Sequence, residues 1–97
     1  MAAARRIREP PLNYHMAQWE VGGRPIVVVH VAWASIAERS TGMRAWRAFR
    51  RHVPQIDVVL AALARDGTTQ FVGRPDHVQA LQGLTLADFK WRAKAVD

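Results

Sequence analysis

Arginine dominates the chemistry this sequence can do. Arg44, Arg47, Arg50 and Arg51 fall within eight positions, in a stretch (43–56) that contains no acidic residue. A guanidinium presents a planar fork of donors that grips phosphate or carboxylate in a bidentate fashion, which an ammonium cannot do. At about 100° per residue, Arg44, Arg47 and Arg51 share one helical face, and Arg50 lies at the edge of the apolar stripe Met43/Trp46/Phe49/Val53. A merely solvated helix usually mixes charge signs to gain i, i+4 pairs. This one does not, so a phosphate- or carboxylate-binding face competes with the plain reading of a solvated surface. His52, beside Arg50 and Arg51, is a further candidate for holding an anion.

Two more basic groups accompany the helix. Lys90, Arg92 and Lys94 alternate with Phe89, Trp91, Ala93 and Ala95, and Arg5, Arg6 and Arg8 lie in an N-terminal stretch ending in Pro10-Pro11. On a shared surface these cations would make about six to ten phosphate contacts and give binding a steep salt dependence.

Other chemistries find little support. The sequence has no cysteine, which removes disulfides, thiol catalysis and cysteine-ligated metals. His15, His30, His52 and His77 show no metal-ligand spacing, and no His-Glu-x-x-His pattern occurs. No Gly-x-Ser-x-Gly elbow surrounds a hydroxyl, the acidic residues are scattered singly, and Gly22-Gly23 is too short to cradle a phosphate. We therefore expect no catalytic residue, no metal and no cofactor.

The net charge is +6, and arginine supplies twelve of the fourteen positive charges. This balance fits a polyanionic partner. The expected function is a non-enzymatic protein that contacts nucleic-acid phosphates. Sequence readout is not expected, because the basic helix offers few Asn or Gln for base edges. The alternative is an interaction module (an inhibitor, adaptor or assembly subunit) that sets the same arginines and Trp46 or Trp91 against an acidic protein, since Trp and Arg are the favoured interface anchors. A small enzyme or a ligand-binding homodimer suits the length, with no constellation to support it. No apolar run approaches a membrane span, and the N-terminus lacks the apolar core of a secretory signal; a cytoplasmic location is expected.

The elements that must position these residues fit a single α+β domain over 13–97, preceded by a basic arm over 1–12. Residues 13–21 alternate as a strand, with His15, Ala17, Trp19 and Val21 facing the core. Gly22-Gly23-Arg24-Pro25 is turn chemistry, and Ile26–Trp33 is a β-branched, nearly continuous strand. Ser40 and Thr41 offer N-caps for a helix over 42–52. Ile56, Val59, Leu60 and Leu63 match the helical i, i+3, i+4, i+7 template, predicting a buried second segment over 54–65, kinked at Pro54 and stopped by Asp66-Gly67. A short strand follows between Gly67 and Gly73. A helix opens at Arg74-Pro75-Asp76-His77, uses Val78 and Leu81, and stops at Gly83. For the last segment a strand over 89–95 is favoured. A helix through Leu86, Phe89, Ala93 and Val96, with Thr85 and Asp88 as a capping box, also fits. The expected order is ββαβαβ: a β-hairpin, a long kinked helix, then β-α-β, with an antiparallel sheet and its helices on one face.

Overall fold

Two runs of the chain are buried without interruption, Ile26–Val29 and Val58–Ala62. Strands with apolar side chains on alternate sides need cover on both faces, so such runs belong at the centre of a layered sheet. In the computed structural model, which describes residues 12–96, they form β2 (Arg24–His30) and β3 (Asp57–Leu63). The two pair in parallel, with Val28 opposite Val59. Parallel neighbours need a crossover connection, and here it contains α1 (Arg39–His52).

The remaining strands extend the sheet outward. β1 (Leu12–Val21) pairs antiparallel with β2 through the turn at Gly22-Gly23, whose φ values of 60° and 81° suit glycine at both central positions. β4 (Thr69–Val72) pairs antiparallel with β3, and β5 (Arg92–Val96) pairs antiparallel with β1. The strand order is β4-β3-β2-β1-β5. The result is an α+β domain with a mixed five-stranded sheet.

Each face of the sheet has its own core. Val27, Val29, Val58, Leu60 and Ala62 meet Ala45, Trp46 and Phe49 of α1. On the other face Ile26, Val28, Val59 and Ala61 are covered by Leu81 of α2 (Pro75–Leu81) and by Phe89. Phe89 joins an aromatic cluster there, with ring centroids 4.9 Å from Trp19, 5.3 Å from Trp91 and 6.2 Å from Phe71. On β1, Ala17, Trp19 and Val21 turn to this core as their alternation predicts, while Gln18 and Glu20 stay exposed. His15, expected with the first group, is exposed, and Met16, on the other side, packs against the α1-side core.

Four expectations need correction. Residues 57–63 are a strand, so the order is ββαββαβ and there is no long kinked helix through Pro54. The unbroken apolar run satisfies a helical template by default; the Val58-Val59 pair and the seven-residue length mark the buried strand. The sheet is mixed, because β2 and β3 are parallel. The helices lie on both faces, as two-sided strands require. Finally, α1 begins at Arg39 after extended Glu38, so Ser40 and Thr41 sit inside its first turn and do not cap it.

Asp66-Gly67 stops a strand, not a helix, and forms the β3–β4 turn. Gly67 has φ 88°, and the Asp66 carboxylate accepts bonds from the Thr68 hydroxyl at 2.6 Å and its amide at 3.0 Å. Those two bonds hold the Asp66 carboxyl below the usual aspartate value. The Thr85/Asp88 capping box is present, but it closes a 3-10 turn over Leu86–Asp88, and β5 follows as a strand.

The corrected placement of β3 gives a sharp contrast. Leu60 is fully buried and Leu63 is 52% exposed. Leu60→Ala should cost about 2–5 kcal/mol, and Leu63→Ala should stay within about 0.5 kcal/mol. Urea denaturation of both variants checks this; equal losses would contradict the strand.

Candidate functional site

α1 presents its basic side because its apolar side is fixed. Ala45, Trp46, Phe49 and Val53 pack onto the sheet. The Trp46 indole Nε1 donates to the carbonyl of Val58 in β3 at 2.7 Å. Val58 precedes the β3 residues that pair with β4. The bond therefore ties the middle of the helix to the sheet and sets its rotation about its own axis.

With that rotation set, Arg44, Arg47, Arg50 and Arg51 are all exposed. Arg39, which sequence reasoning left out because the helix start was misplaced, is exposed and joins them. Among the described residues none of these five arginines of α1 makes an ion pair. The Arg50 guanidinium lies over the Trp46 ring, 4.9 Å from its centroid, which holds its charge near the helix surface. His52 is exposed and lies about 100° round the helix from Arg51 and about 160° from Arg50, to one side of the arginine arc.

Three depressions follow this face. One, of about 500 Å³, is lined by Arg39, Ser40, Met43, Arg44 and Arg47. A second, of about 390 Å³, lies at the end of α1 and shares Arg47, adding Arg50, Arg51 and Asp57. The third, of about 470 Å³, shares Arg39 and Met43 and runs between α1 and α2 past β4. Over the twelve steps from Arg39 to Arg51 the helix rises about 18 Å, so the track is long enough for an extended ligand.

The other predicted cations lie elsewhere. Lys90 and Arg92 are exposed and line a separate cavity of about 580 Å³ with Met16, Gln18 and Trp19. Lys94 lies in β5, paired with Tyr14 of β1. β5 is at one edge of the sheet and β4 at the other, whereas α1 packs over the β3–β4 side. The helix arginines and the Lys90/Arg92 pair thus lie in two patches, not one surface. Arg5, Arg6 and Arg8, with the rest of the arm before Leu12, lie outside the described residues. Trp91 donates its indole N–H to the Leu86 carbonyl at 2.8 Å and stacks near His30, with centroids 5.4 Å apart. Trp46 and Trp91 are therefore both half-buried with their N–H groups engaged internally.

A second polar cluster was not legible in the sequence, because its members meet only across elements. Arg74 lies 3.0 Å from Asp76 and 3.8 Å from Asp57. Buried His77 places Nε2 3.9 Å from Asp57 and 4.0 Å from Asp76, and its Nδ1 has no hydrogen-bond partner. Burial pushes the Asp76 carboxyl up, but the hydrogen bond and charge of Arg74, with His77, more than offset this and hold it below the ordinary value. No group of three or more His, Asp or Glu among the described residues is arranged to hold a metal. No helix among them is long and apolar enough to cross a membrane. Comparison with protein-family models, curated proteins and solved structures finds no match.

Two predictions follow from this geometry. Trp46→Phe keeps an aromatic ring, though a smaller one, and leaves the Val58 carbonyl without its donor; it should cost at least about 1–3 kcal/mol in chemical denaturation. Asp76, with its folded value below the unfolded one, contributes stability that is complete above the unfolded value, about 3.9, and is lost as pH falls through the lowered folded value. Asp76→Asn should remove that share, so its stability should fall less steeply than wild type on acidification; parallel acid limbs would contradict the Arg74 pairing.

Proposed function

We propose that this protein is a non-enzymatic binding protein that takes nucleic-acid phosphates along the exposed face of α1. The observation that carries the reading is the array itself: Arg39, Arg44, Arg47, Arg50 and Arg51, exposed and, among the described residues, free of ion pairs. Unneutralised guanidinium groups along one rigid helix repel each other, and a polyanion relieves that repulsion while releasing its own counterions. Lys90 and Arg92 line a second basic depression that a long strand would reach separately.

An acidic protein is the competing partner for the same arginines. That reading relied on Trp46 or Trp91 as anchors, and both indoles already donate to backbone carbonyls of their own chain. A hot-spot tryptophan offers more of its ring to a partner than these do. The balance favours the phosphate backbone.

Fluorescence anisotropy with labelled oligonucleotides over a salt series tests the proposal. If all five arginines engage phosphates, log K against log salt should have a slope of about −3.5 to −4.5. Arg47→Glu/Arg51→Glu should abolish binding at physiological salt while the circular dichroism melt stays unchanged. Undiminished affinity in that folded double variant would refute the assignment.

A further inference from the structure

The third depression beside α1 differs in kind from the other two. Its arginine bank is Arg39, its floor is apolar (Met43, Phe71 and Val78), and its far bank carries Gln79 and Gln82 of the α2 region. No acidic residue lines it or the adjoining arginine depression, with which it shares Arg39 and Met43. The Gln79 and Gln82 side chains are exposed and make no hydrogen bond among the described residues. β4, which forms the floor, is the edge strand of the sheet, so nothing in the sheet covers it on that side.

We infer that this groove receives the unpaired bases of a single-stranded nucleic acid whose phosphates lie on the α1 arginines. The inference rests on the phosphate-binding reading of that face and names its substrate class. A duplex keeps its base faces stacked inside and shows a protein only phosphates and groove edges. A single strand can turn its bases outward, where apolar and aromatic side chains take their faces and amides take their edges. Only the single strand uses all three parts of the groove. Charge selects the backbone, through Arg39, Arg44 and Arg47. The Met43/Phe71/Val78 floor desolvates the base. Free carboxamides, each with two donors and an acceptor, can pair with exposed base edges. The sequence alone could not show this, because Gln79 of α2 and Gln82 just after it reach the arginines of α1 only across the end of the sheet.

The test compares a labelled twelve-nucleotide single strand, as DNA and as RNA, with the matched duplex at near-physiological salt. The single strands should bind at least about tenfold more tightly than the duplex. Gln79→Ala/Gln82→Ala should weaken single-strand binding by about five- to tenfold and leave duplex binding unchanged. Met43→Ala should weaken single-strand binding by about five- to tenfold and duplex binding by less. Because Met43 also touches the fold, a second readout is used on the intact chain: photocrosslinking of a halogenated-uracil single strand, mapped by mass spectrometry. Crosslinks at Met43, Phe71 or Val78 support the groove. Equal affinity for duplex and single strand, with crosslinks confined to the arginine ridge, overturns it and leaves the phosphate reading standing. Failure of every oligonucleotide to bind at low salt overturns both.

Discussion

Two-sided burial of the central parallel pair is the constraint on which this structure depends. β2 and β3 carry apolar side chains on alternating sides, and neither side can be left to water. One helix must therefore cross from β2 to β3 on one face, and other elements must close the opposite face. α1 does the first; α2, Phe89 and the aromatic cluster around it do the second. The polar residues of β1, Gln18 and Glu20, leave that part of the sheet uncovered, which leaves α1 over the β3–β4 side. The basic face owes its direction to this demand for cover, sharpened by the Trp46–Val58 hydrogen bond.

That arrangement also separates charge by origin. The α1 arginines have no acid between Arg39 and His52. Although Asp57 lines the depression at the end of the helix with Arg47, Arg50 and Arg51, none of them forms an ion pair among the described residues. Arg74, by contrast, is absorbed by Asp57 and Asp76. Two arginines with the same side chain thus do different work: one closes a polar cluster at the end of the sheet, the others stay available. Exposure alone does not distinguish them; the ion pairs that Arg74 makes, and that the α1 arginines lack among the described residues, do.

Much of the frame was legible in the residues. Alternation in 13–21 and the β-branched run after Gly22-Gly23 specify the first hairpin, and Pro75 with Gly83 brackets α2. The arginine face was legible because its members lie on one helix, where spacing alone fixes their common side. β3 was not, because a residue run that is apolar throughout contains every period at once. The groove was not legible for a related reason. Its arginine, methionine, phenylalanine and glutamines come from three elements, and only the strand order brings them to one edge. Local pattern reports what one element presents; it is silent on which elements become neighbours.

The strand order has a consequence in time as well as in space. β1 is joined on one side by β2, its neighbour in the chain, and on the other by β5, the last strand, with Leu12 opposite Val96. Closing that pair joins residues at opposite ends of the described chain, the longest loop closure in the sheet, though its entropic cost grows only slowly with length. The first hairpin can form as soon as its residues exist, but its outer edge must wait for the far end of the domain. During synthesis, a nascent chain would therefore hold β1 half-dressed, with one side paired and the other open to strangers, until β5 emerges.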